Sequence, residues 1–214
     1  MSGFFITFEG IEGSGKTTQI RLLADYLAQQ GKKVVLTREP GGTAIGDKIR
    51  TVLLNPDFKS MTSMTELFLY AAARCQHVEE FIRPALERGA VVLCDRYADA
   101  TTAYQGFGRG IDRKLLATLH QLATRNLWPH LTFVLDCPVE TGLQRALSRE
   151  AKRKGPAADR FEKEERDFHE RVRQGYLQLA QEEPKRVKIV EASDPPDQIH
   201  KVIIKCMDPL DGRG

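Results

Sequence analysis

The chain has 214 residues, 41% of them hydrophobic, and its net charge of +3 is the small difference between 32 basic and 29 acidic side chains. That size supports one good core with room for a small appendage, and needs no second domain. The near balance of charge gives no case for binding nucleic acid through bulk charge, no apolar run approaches the roughly 20 residues of a membrane span, and no secretory leader pattern precedes the first strand, so a cytoplasmic location is expected. Cys75, Cys94, Cys137 and Cys206 lie far apart without paired spacing and read as reduced core residues.

In chain order, the apolar run 4–8 forms the first strand, and Gly10-Ile11-Glu12-Gly13-Ser14-Gly15-Lys16-Thr17 follows it directly. Glycines at these positions let the backbone curl so that successive N–H groups face phosphate oxygens. Lys16 adds a mobile positive charge, and Thr17 opens a helix over 17–30, with its hydroxyl available to Mg²⁺ and the helix N-terminus behind the same phosphates. A strand over 33–37 leads into Thr37-Arg38-Glu39-Pro40-Gly41-Gly42-Thr43, then helices over 44–54 and 65–88. The strand 90–94 ends at Asp95-Arg96-Tyr97. Asp95 reads either as the cap of the next helix or as the acid that holds Mg²⁺ through water opposite the phosphate loop. Arg96 beside it favours the second reading, because a planar guanidinium there could bridge donor and acceptor phosphates.

Beyond these lie a helix over 113–124, a strand over 131–136, a helix over 139–149, a helix over 161–181, a strand over 186–190 and a helix over 196–206. The alternation predicts an α/β fold, a five-stranded parallel sheet with helices on both faces, in a single P-loop NTPase domain over 1–214. Residues 148–160 are basic, broken by Gly155-Pro156, then basic again, which reads as a flap or lid.

Taken together, the GIEGSGKTT loop, the segment 37–43, Tyr70-Ala71-Ala72-Ala73-Arg74, Asp95-Arg96-Tyr97, Ala103-Tyr104-Gln105-Gly106 and Asp159-Arg160-Phe161-Glu162 resemble the bacterial thymidylate kinases over nearly the whole chain. These are nucleoside monophosphate kinases that phosphorylate dTMP. The resemblance implies ATP and Mg²⁺ on Gly10 to Thr17 with Asp95, and it implies a homodimer formed through the helix 65–88. It implies that Tyr70, where many members carry Phe, stacks on the pyrimidine, and that Arg74 donates to the 4-carbonyl of thymine. Gln105 would read the ring N3–H, with Thr101 one turn before it. A donor opposite the 4-position suits thymine or uracil and opposes the amino group of cytosine.

By the same resemblance Tyr104 lies near the sugar and excludes a ribose 2′-hydroxyl, Glu12 lies near the 3′-hydroxyl, and Glu39, Pro40 and Arg50 line the acceptor's sugar and phosphate. Lys16, Arg96 and Glu12 would act in catalysis. Because Gly13 stands where some members carry a loop arginine, a further catalytic arginine is expected from the lid: Arg149 first, with Arg153 and Arg160 behind it. The adenine of the donor is expected near 191–196. A P-loop regulatory ATPase would keep Lys16 and Thr17 without needing Arg74, Arg96 and Gln105; a nucleoside kinase would want a general base for a neutral hydroxyl.

Overall fold

The computed structural model describes residues 3–152, 161 and 164–207, and the side chains of residues 149–152 lie outside that description. Its centre is a five-stranded parallel sheet in the order β2-β3-β1-β4-β5. The strands are β1 (Phe4–Glu9), β2 (Val34–Arg38), β3 (Val91–Asp95), β4 (Leu131–Asp136) and β5 (Val187–Glu191). Phe4 stands opposite Val91, Ile6 opposite Leu131, Val34 opposite Val91, and Thr132 opposite Val187. Each strand lies within a residue of its expected span; the inner strands β1, β3 and β4 are buried on both faces and so are apolar nearly throughout.

Successive residues of β1 point to opposite faces and seed two cores. Ile6 and Phe8 pack with Leu93 and Phe133 against Leu23 and Leu27 of α1 (Lys16–Gln29), Val172 and Tyr176 of α8 (Arg166–Glu182) and Ile203 of α9 (Pro196–Met207). Phe5, with Val92 and Cys94, packs against Val78, Ile82 and Ala85 on the other face. The chain crosses to opposite sides of β1 before and after β3, so β1 lies beside the topological switch point where α/β folds bind ligands.

Helices α2 (Ala44–Leu54), α6 (Arg113–Thr124) and α7 (Val139–Lys152) match their expected positions, with α7 extending past residue 149. The span 65–88, expected as one helix, differs in structure. α3 (Ser63–His77) begins earlier because the Thr62 side chain caps it by accepting from the Thr65 N–H. It then widens into a π-helical turn over Val78–Ile82 before α4 (Arg83–Glu87). Pro84 has no N–H to offer the carbonyl of Glu80 and its ring crowds that carbonyl, so the wider turn relieves both.

A second π-helical stretch, Thr102–Gly108, continues α5 (Ala98–Thr101), and no helix was expected there. Glycines on both sides make room for close packing on α8: a Cβ on Gly108 would meet the Phe168 ring at 2.6 Å, and one on Gly175 of α8 would meet Phe107 at 2.7 Å. α8 begins at Arg166 rather than 161, and Phe161 lies in a turn. Cys94 and Cys137 are buried, but Cys75 is exposed and Cys206 half-buried, which corrects their reading as core residues. Cys75 lies on α3, and Cys206, on α9, packs at the margin of the core. No helix among the described residues is long and apolar enough to cross a membrane.

Candidate functional site: a phosphate cradle beside a base pocket

The carboxyl ends of β1, β2 and β3 open into one cavity of about 920 Å³. On one side lies the loop after β1. Gly10 and Gly13 hold φ of 128° and 70°, a region that L side chains rarely adopt. A Cβ on Gly13 would also meet the carbonyl oxygen of Gly142 at 2.0 Å, so the loop rests against the first turns of α7. Glu12, Gly13, Ser14, Gly15, Lys16 and Thr17 line the cavity. Gly10 and Ile11 do not line it, and they serve it through their carbonyls, which accept from Lys16 Nζ at 3.0 and 2.7 Å. Burial, and then the nearby Arg96 guanidinium, bring the Lys16 ammonium down to about 8. The Thr17 hydroxyl donates to Asp95 Oδ2 at 3.1 Å, so two hard oxygen donors meet at the mouth of the loop.

Arg96 is held in the left-handed region with φ of 70°, its N–H donating to Phe8 O at 3.0 Å. A non-glycine residue in that conformation marks a position that the surroundings enforce. Its guanidinium donates to Glu12 Oε1 at 3.0 Å and to the Tyr176 hydroxyl at 3.3 Å, and lies 4.8 Å from the Tyr104 ring centre. The Tyr104 hydroxyl donates to the same Glu12 oxygen at 2.7 Å. Burial disfavours the Glu12 charge, but Arg96, with His169 and Lys16, outweighs it and holds the carboxyl well below the usual range. Beneath these groups, burial and the charge of Asp99 push Glu9 up to about 8, where it accepts from the Tyr97 N–H and the Tyr176 hydroxyl.

The other side of the cavity lies under α3. Tyr70 and Arg74 line it with Thr101, Tyr104 and Gln105, so the helix pair α3 and 98–108 brings the expected base-reading residues together. Arg74 is 2% exposed. Its Nε donates to Glu39 Oε2 at 2.8 Å, and its Nη2 to Tyr97 O and Thr101 Oγ1, both at 2.9 Å. The second Glu39 oxygen faces His77 Nδ1 at 3.0 Å, and His77 Nε2 lies 2.6 Å from Thr37 Oγ1. Both Glu39 oxygens therefore hold protein groups, and Glu39 acts on the pocket through Arg74. Arg50 and Pro40 line the cavity nearby, with Arg50 Nη1 donating to Pro40 O at 3.0 Å.

A family model described as thymidylate kinase matches residues 8–203. The chain belongs to the thymidylate kinase family. It is 54% identical over 208 residues to a thymidylate kinase of Syntrophotalea carbinolica, covering 97% of this chain and 96% of that one. It is 57% identical over 199 residues to a thymidylate kinase of Trichlorobacter lovleyi, covering 93% and 94%. The crystal structure of thymidylate kinase from Ehrlichia chaffeensis superposes with a TM-score of 0.77 at 34% identity, over 97% of this chain and all of that one.

Several cavity residues escape a motif reading of a thymidylate kinase sequence. Arg145 lines the cavity and donates to Ala192 O at 3.0 Å, beside Asp194 and Pro196 in the segment expected to hold the adenine. Its signal was the four-residue spacing from Arg149 along one helix. Glu66, Tyr70 and Arg74 likewise share one face of α3 at spacings of four, yet only the last two belong to the motif. Asp136, polar at the end of β4, is taken up by Arg173 through two bonds of 2.7 and 2.8 Å and does not line the cavity. The Arg149 side chain, Arg153, Arg160 and most of the lid 148–160 lie outside the described residues. Among those described, no cluster of His, Cys, Asp and Glu is arranged to cage a metal.

Proposed function

We propose that the cavity binds ATP on the phosphate loop and dTMP beneath α3, end to end. As a member of its family the enzyme is a nucleoside monophosphate kinase that converts dTMP to dTDP in nucleotide biosynthesis. The observation that carries the binding reading is a donor beside an acceptor in one buried pocket. Arg74 faces the cavity with Nη1 uncommitted among the described residues, and Gln105 lies next to it. A thymine edge offers an acceptor at the 4-position and a donor at N3, and matches both. Cytosine reverses both and leaves buried groups unpaired. Tyr70 lines the same pocket and supplies the face on which the base stacks.

Glu12, bound by Arg96 and Tyr104, offers its carboxylate to the 3′-hydroxyl, and Tyr104 fills the space that a 2′-hydroxyl would need. Thr17 and Asp95 are two oxygen donors 3.1 Å apart at the loop mouth, which fits Mg²⁺ held by one hydroxyl, one carboxylate through water, and phosphates. A bound Mg²⁺ would neutralise charge on the donor phosphates. Lys16 and Arg96 hold the transferring group in line with the acceptor, and Arg149 brings further positive charge from the lid. No general base is needed, since the attacking phosphate oxygen is already anionic.

The working molecule is proposed to be a cytoplasmic homodimer. Ile45 and Val52 on α2, Met64 and Phe68 on α3, and Leu115 and Leu122 on α6 are exposed, each pair spaced to share a helix face. α3 packs against both α2 and α6, which brings the three helices that carry these residues side by side.

An ADP-release assay with ATP and Mg²⁺ tests the base reading. Turnover should rank dTMP above dUMP, by the about 1–3 kcal/mol of one methyl group, and both at least about a hundredfold above dCMP. Thymidine should not turn over. Equal use of dCMP would overturn the pocket assignment.

A further inference from the structure

Glu66 is 1% exposed on α3, and a carboxylate is not buried there without close partners. Its Oε1 accepts from Gln105 Nε2 at 2.8 Å and from Arg109 Nε at 3.3 Å, and its Oε2 accepts from Arg109 Nη2 at 3.3 Å. Arg109 is itself held in place, by Glu164 Oε1 at 2.6 Å and by the Phe168 ring, 4.6 Å from its guanidinium carbon. Of these residues only Gln105 belongs to the motifs that announce the reaction; Glu66, Arg109, Glu164 and Phe168 do not.

The consequence lies in the amide of Gln105, which is 1% exposed and lines the cavity beside Arg74. An amide can turn either its oxygen or its NH₂ toward the base, and only the oxygen accepts the N3–H of thymine. A carboxylate can only accept. Glu66 therefore claims the NH₂ and leaves Oε1 on the other side of the amide, toward the cavity. We propose that Glu66, seated by Arg109, is a positioning residue that sets pyrimidine specificity by fixing the orientation of the Gln105 amide. The inference rests on the reading of Gln105 and Arg74 given above. It adds that discrimination against cytosine is imposed from behind the pocket by a group that never meets the nucleotide.

Glu66→Gln tests this with little change of shape. Arg109 would claim the new amide oxygen, the new NH₂ would face Gln105, and Gln105 would turn its own NH₂ toward the base. Thymine N3–H would then meet a donor and cytosine N3 would find one. The ratio of kcat/KM for dTMP over dCMP should fall at least tenfold, while the KM for ATP stays within about twofold. The double variant Glu66→Gln with Gln105→Glu keeps one carboxylate, one amide and one guanidinium in the cluster but returns an acceptor to the pocket, so it should recover preference for dTMP. A purely structural role predicts parallel losses for both substrates with the ratio unchanged and no recovery in the double variant, and that result would overturn the proposal. A wild-type enzyme that does not discriminate the two substrates would remove the base reading itself, and the inference with it, before any variant is measured.

Discussion

Glu9 ends the central strand with a carboxyl that no water reaches, and burial together with Asp99 keeps its proton on up to about pH 8 against an ordinary value of 4.5. Between those values the folded protein holds a proton that the unfolded chain releases. Its contribution to stability is thus complete below about 4.5 and is lost as the pH rises through about 8. Lys16, lowered from 10.5 to about 8, gives a slope of the opposite sign only above that window. His120, which burial brings down to about 3, acts between there and 6.5 and is common to any Glu9 variant. The stability of Glu9→Gln relative to wild type should therefore rise from pH 5 to pH 8, at about 1.4 kcal/mol per unit at most. Denaturant midpoints across that range measure it, and a constant difference would show that Glu9 is ionised throughout. Nothing in the strand pattern at Glu9 announces this carboxyl as buried, since a charged residue ending a strand usually meets solvent. Its partner Tyr176 is 167 residues away.

At the scale of elements, the phosphate loop and α7 are fitted to each other through two glycines. A Cβ on Gly142 would meet Glu12 O at 2.5 Å and the Ile11 side chain at 2.9 Å. In an open helix Gly→Ala would gain about 1 kcal/mol from propensity. Here the overpacking, about 1–3 kcal/mol, should dominate and push the loop off its phosphate-facing shape. We expect Gly142→Ala to lower the melting temperature and to raise the KM for ATP at least tenfold, and steady-state kinetics beside a thermal melt would show both. Gly13 was legible as part of a motif, whereas Gly142 has meaning only through the loop it touches. The same holds for 98–108, where Gly106, Gly108 and β-branched Thr101 and Thr102 argue locally against a helix. Packing on Phe168 and Leu116 reverses that preference.

For the whole molecule, the exposed apolar stripes of α2, α3 and α6 are the surface that the proposed dimer must cover. Phe68, 54% exposed in the middle of α3, is the strongest single handle. Phe68→Asp should convert a particle of twice the chain mass to one of a single chain by light scattering at micromolar concentration, leaving the helical signal unchanged. A wild-type particle of one chain mass would reject this interface.

Local pattern and fixed spacing were enough to specify the five strands, the phosphate loop with Lys16 and Thr17, and Asp95 and Arg96 at a strand end, whereas Tyr70, Arg74 and Gln105 were singled out only by the resemblance to a family. Apolar periodicity and glycine geometry act over a few residues, so they are written in contiguous sequence. The tertiary structure alone decided how those side chains are aimed. Glu39 holds Arg74 and His77, Glu66 holds Gln105 across 39 positions, and Glu12 gathers Arg96 and Tyr104. A hydrogen bond depends on which distant atoms the sheet brings within 3 Å, and no local periodicity carries that information.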